Sequence, residues 1–80
     1  MRIEVRLYAT FAKFGPTQRA GDPFDVKFED SASLMDLIHK LGIPEENVHL
    51  TIVNGRIIHD SMQTLQNGDR VGLFPPVGGG

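Results

Sequence analysis

Apolar and polar side chains alternate without a break over Arg2-Ile3-Glu4-Val5-Arg6-Leu7-Tyr8. Ile3, Val5 and Leu7 fall on one side and Arg2, Glu4, Arg6 and Tyr8 on the other. A period of two marks a strand with one face in a core and one in water. The alternation returns at Phe24-Asp25-Val26-Lys27-Phe28-Glu29, with Phe24, Val26 and Phe28 expected inward. The two strands are expected to pair antiparallel across a loop from Ala12 to Asp22, punctuated by Gly15-Pro16 and Gly21. Phe11 and Phe14, near its start, are expected to fold back as a lid on the edge of the core.

The period then changes to that of a helix. Leu34, Leu37, Ile38 and Leu41 recur at i, i+3, i+4 and i+7. Ser33 with Asp36 forms a capping-box start, Lys40 suits the C-terminal dipole, and Gly42 with Pro44 stops the helix. Beyond it, Leu50-Thr51-Ile52-Val53 and Arg56-Ile57-Ile58 flank Asn54-Gly55, a strong short hairpin signal. Asp60 to Gln66 reads as an irregular link anchored by Leu65, and Asn67-Gly68 as a second turn. Arg70-Val71-Gly72-Leu73-Phe74 is the last strand, with Val71 and Leu73 inward and Arg70, Gly72 and Phe74 outward. Strand, strand, helix, strand, strand, strand predicts an α+β fold: a mixed sheet of about five strands with one main helix across one face.

The bulk numbers narrow the function. Eighty residues make a single domain, 1–80, and 40% hydrophobic content suits a globular core. A net charge of −2 argues against nucleic acid as the main partner. No apolar run reaches the ~18 residues of a membrane span, and no charged-then-apolar leader opens the chain. The expected location is cytoplasmic. The chain has no cysteine, so disulfides, thiolate metal sites and an internal persulfide are excluded. His39, His49 and His59 lack short ligand spacing, and no metal site is expected. No triad, phosphate loop or paired catalytic carboxylates stand out, so the chain is not expected to be an enzyme by itself.

The chemistry concentrates in Phe74-Pro75-Pro76-Val77-Gly78-Gly79-Gly80. Pro75 and Pro76 cannot continue a sheet ladder, so the chain is expected to leave the sheet there as an extended, flexible tail over 75–80. Val77 can grip a surface. Gly78, Gly79 and Gly80 have no side chain and suit a narrow tunnel, deep in which the α-carboxylate would be presented. A frayed terminus is the bland alternative, and the apolar, stiff Phe-Pro-Pro-Val step weighs against it.

With these motifs placed, the chain resembles the ubiquitin-like sulfur carriers, the MoaD/ThiS family, over essentially its whole length. The resemblance rests on Val53-Asn54-Gly55, on Asn67-Gly68-Asp69-Arg70-Val71 and on Phe74-Pro75-Pro76-Val77-Gly78-Gly79-Gly80, with Gly79 and Gly80 as the family's functional mark. It implies a β-grasp fold and a carrier that binds no cofactor of its own. An adenylating, ubiquitin-activating-like enzyme would use ATP to activate the carboxylate of Gly80. A sulfur donor would replace AMP, and the resulting thiocarboxylate would serve an acceptor such as a molybdopterin-synthase large subunit. Tyr8-Ala9-Thr10-Phe11 and Phe74-Pro75-Pro76-Val77 look like the molybdopterin branch, while the short helix and Gly78 look like the thiazole carriers. A ubiquitin-like protein modifier, joined through the same Gly80, is the alternative, and a plain β-grasp interaction module a further one. In a β-grasp fold the first and last strands are neighbours, so Arg6 and Tyr8 would lie beside Arg70 and Phe74. That places an aromatic pair flanked by two arginines next to the tail, the residue types enriched at binding hot spots.

Overall fold

In the computed structural model, which describes residues 1–76, the strands are β1 (Arg2–Leu7), β2 (Phe24–Lys27), β3 (Leu50–Val53), β4 (Arg56–Ile57) and β5 (Arg70–Phe74), and the helix is α1 (Leu34–Leu41). They form one five-stranded sheet in the order β2-β1-β5-β3-β4. β1 and β5 pair in parallel at its centre, with Val5 opposite Val71 and Leu7 opposite Leu73. The other pairings are antiparallel. This is the expected mixed sheet.

The core follows from the alternation. Ile3, Val5 and Leu7 from β1 and Val71 and Leu73 from β5 are buried with Leu34, Leu37 and Ile38 of α1. The helix begins as its sequence dictates. The Ser33 hydroxyl accepts from the Asp36 N–H at 3.1 Å, and the Asp36 carboxylate accepts from the Ser33 N–H at 2.9 Å. It ends at Gly42, which has φ 79°, a left-handed conformation that glycine adopts without steric cost. Leu65 is buried, as its anchoring role requires.

Four local expectations are corrected. The strand expected through Glu29 ends at Lys27, and Phe24 and Phe28 pack against the core only in part. The strand expected through Ile58 is the two-residue β4. The segment before Gly15 is not all loop: Ala9–Phe14 is a 3₁₀ helix. Phe11 goes further than an edge lid, being only 3% exposed, while Phe14 meets it edge-on with centroids 6.2 Å apart. A short 3₁₀ turn, Glu45–Asn47, also follows the helix.

Candidate functional site

One face of the sheet carries the core. Register assigns the other. Arg6, Gly72, Ile52 and Ile57 are successive partners across β1, β5, β3 and β4 and form one row. Glu4 and Arg70 make the row on one side of it, and Phe74 with Leu50 the row on the other. Tyr8, one step beyond β1, donates its backbone N–H to the Leu73 carbonyl at 3.2 Å and joins the Phe74 row.

Tyr8 and Phe74 lie flat against each other, centroids 4.3 Å apart and planes within 1°. Gly72 makes this possible. A Cβ there would come 3.3 Å from Tyr8 Cε2 and 3.5 Å from Phe74 Cε1, so the bare backbone lets both rings lie close over the strand, and a side chain would push the Tyr8 ring outward. Gly21 borders the far edge of Tyr8, where a Cβ would sit 3.6 Å from Cε1, and its N–H donates to the Leu7 carbonyl at 2.8 Å. Ala9, just after Tyr8, has φ 52°. That left-handed step, costly for a residue with a Cβ, turns the chain off the strand and into the 3₁₀ helix that buries Phe11.

The tail leaves from the same corner. The carbonyl of Phe74 accepts from the His49 N–H at 2.9 Å, the last bond of that edge. Pro75, with no N–H to offer, follows. The strand therefore ends at Phe74, within the aromatic pair, and the described chain continues to Pro76. Val77, Gly78, Gly79 and Gly80, the expected grip and threading residues, lie outside the described residues.

The expected docking residues Arg6, Tyr8, Arg70 and Phe74 are thus gathered on one face. Arg6 Nη2 stands 3.6 Å from Glu4 Oε1; among the described residues Arg70 makes no ion pair. Missed from the sequence were Leu50, Ile52 and Ile57, which give this face an apolar floor. Ile57 is 54% exposed. An open hollow of about 410 Å³ runs over Gly72 between Ile52, Arg6, Arg70 and the aromatic pair.

At the opposite end of β5 the two Asn-Gly turns are tied together. Asn54, at φ 52°, donates its Nδ2 to Asp69 Oδ1 at 2.8 Å and accepts the Arg70 N–H on its Oδ1 at 2.9 Å. Asp69 Oδ2 accepts the Gln66 N–H, and Asn67 Oδ1 accepts the Arg2 N–H, each at 2.8 Å. The motifs Val53-Asn54-Gly55 and Asn67-Gly68-Asp69 therefore build the frame and hold the start of β5.

The Mut7-C ubiquitin family matches residues 1–78. The chain belongs to it. The Haloferax volcanii HVO 2177 protein is 30% identical, with a TM-score of 0.70 over 100% of this chain and 87% of that one. A chain in the complex of subunits 1 and 2 of the molybdopterin-converting factor from Helicobacter pylori is 28% identical, with a TM-score of 0.63 over 100% of both. The small archaeal modifier protein 1 of H. volcanii, at 22% identity, shares the fold, with a TM-score of 0.70 over 95% of this chain and 98% of that one. No match was found among the curated proteins. The fold expectation is met: the chain is a β-grasp, ubiquitin-like protein of the kind found in molybdopterin-converting factors and small modifiers. Among the described residues no helix is long and apolar enough to cross a membrane, and no three metal-ligating side chains gather.

Proposed function

We propose that this chain is a sulfur carrier acting with partner enzymes, and that its chemistry takes place on the carboxylate of Gly80. A partner adenylating enzyme binds ATP. The Gly80 carboxylate attacks the α-phosphorus, pyrophosphate leaves, and an acyl-adenylate forms. A sulfur donor then displaces AMP and leaves a thiocarboxylate, which passes its sulfur to an acceptor, of molybdopterin type by preference. The carrier works in the cytoplasm and holds no cofactor.

The observation that carries this reading is the likeness, over the full length of both chains, to a member of the two-subunit molybdopterin-converting complex. The local geometry supports it. The ladder ends at Phe74 beside the stacked Tyr8 ring, and in sequence two prolines and then, after Val77, Gly78-Gly79-Gly80 follow it. The absence of cysteine leaves no internal thiol to intercept an activated terminus.

Intact-mass measurement of the protein from its native host, or after incubation with its activating enzyme, ATP and a sulfur donor, tests the proposal. One oxygen replaced by sulfur at the terminus supports it. Isopeptide links from Gly80 to substrate lysines would favour the modifier instead. Gly79→Val should block activation while leaving the melting temperature unchanged, and normal adenylation of that variant would sink the threading step. If deletion of Gly79 and Gly80 changed nothing, the chain would be an interaction module alone.

A further inference from the structure

The hollow over Gly72 exists because Gly72 has no side chain. Its row partners Arg6 and Ile52 stand on either side of it, and the Tyr8–Phe74 pair closes one end. The floor is apolar, and the rim carries two arginines, Arg6 and Arg70, against one carboxylate, Glu4. It is open to solvent, so it does not enclose a small molecule as a ligand pocket does. Its shape suits a side chain inserted from above.

Charge is unevenly divided around this hollow. Register puts Arg2, Arg6, Lys27 and Arg70 on the open face together with Glu4 and Asp25, four cations against two carboxylates, or +2. The whole chain carries −2, so everything else carries −4. An acidic protein has placed its cationic excess on the one face with an exposed apolar floor. Glu4 partly occupies Arg6 and Asp25 lies 3.7 Å from Arg2, which leaves Arg70 as the cation on the rim with no ion pair among the described residues.

We infer that the hollow over Gly72 receives one apolar side chain of a protein partner, and that carboxylates flanking that side chain pair with Arg70 and Arg6. The partner is an acidic protein segment with a single aliphatic or aromatic anchor. This rests on the reading of the open face as the side a carrier turns toward its partners, and it adds what that partner must look like. Complementary charge of this kind steers encounter and rejects basic competitors. Interleaved Glu4 and Asp25 and the apolar floor fit a protein better than the uniform charge of a phosphate backbone.

The test uses the isotope-labelled full chain and three defined probes: a peptide with one leucine between glutamates, the same peptide with lysines for glutamates, and a single-stranded RNA oligonucleotide. The acidic peptide should shift the amides of Ile52, Arg70 and Gly72 at millimolar concentration. Its affinity should fall about tenfold from about 0.1 M to about 1 M salt, as screening of exposed charges requires. Arg6→Glu with Arg70→Glu should abolish binding. Gly72→Ala, which raises a methyl group from the floor of the hollow against the two rings, should weaken it while both variants keep a folded spectrum. Equal binding of the lysine peptide, shifts mapping elsewhere, no shift at all, or stronger binding of RNA at the same amides would each overturn the inference. None of these outcomes touches sulfur loading at Gly80. A failed peptide with a loaded terminus removes this inference alone, and a bound peptide with an inert terminus removes the carrier reading alone.

Discussion

At one end of the β1–β5 pair, Asn54, Asp69 and Asn67 tie two turns together with hydrogen bonds of 2.8–2.9 Å to one another and to backbone N–H groups. At the other end, Tyr8 and Phe74 stack over a bare glycine, and among the described residues neither side chain makes a hydrogen bond. Both ends are built from the segments that carry the family likeness. The first consists of polar groups that satisfy the fold. The second is apolar surface left half in water, an arrangement the fold does not require. A family motif can therefore mark either a frame or a surface, and only the partners of its side chains tell which.

Mutations should separate the two ends. Asn54→Ala removes two hydrogen bonds and puts a Cβ residue without local side-chain support at positive φ. It should cost roughly 2–3 kcal/mol of stability, from ~1 kcal/mol per hydrogen bond and ~1 for the left-handed step, read by denaturant titration. Binding to the activating enzyme of the proposed function, measured on the folded fraction, should not change. Phe74→Ala should do the reverse, weakening that binding by ~1–3 kcal/mol in calorimetry. Its stability cost should stay near 1 kcal/mol, since its ring packs on Tyr8 outside the core. A larger loss of stability than of affinity would make the exit end a second frame and erase the contrast.

Smaller effects sharpen the picture. A double-mutant cycle on Tyr8 and Phe74, read by melting, should give a coupling of ~0.5–1.5 kcal/mol for a stacked pair. Zero coupling would mean that the rings are only neighbours. Ala9→Gly relieves the left-handed step but adds freedom to the unfolded chain, so the net change should be within about 0.5 kcal/mol. A marked loss would mean that the Ala9 methyl itself holds Tyr8 in place.

Much of this was accessible from residue order. Strict alternation in β1 and β5 fixes which side chains face out, and register then brought Arg6, Tyr8, Arg70 and Phe74 to one face as expected. The apolar floor was not accessible, because Leu50-Thr51-Ile52-Val53 is a nearly continuous apolar run. Such a run carries little phase information, and the polar Thr51 proves to be buried along with Val53, each at 5% exposure, while Leu50 and Ile52 face the open side. Gly72 could be placed outward, but its service as the bed for two rings depends on a residue from the far end of the chain. The tie between Asn54 and Asp69 spans 15 positions, beyond any local pattern. The 3₁₀ helix before Gly15 escaped because its turn is driven by the burial of Phe11 and carries no Gly or Pro signal.

The parallel pairing of β1 with β5 has a kinetic consequence. The first strand of the chain cannot find its central neighbour until the last one is available, and this is the least local pairing in the molecule. Chain topologies of this kind fold slowly for their size, since a long loop must close before its contacts reward it. They also unfold as a unit, because a strand held on both sides cannot peel away as an edge strand can. The strand that presents Phe74 and leads to the tail is thus the keystone of the sheet. Opening of β5 breaks the pairings on both of its sides, so the amides of Val71, Gly72 and Leu73 should exchange with solvent as slowly as any in the protein, and more slowly than those of the edge strands β2 and β4.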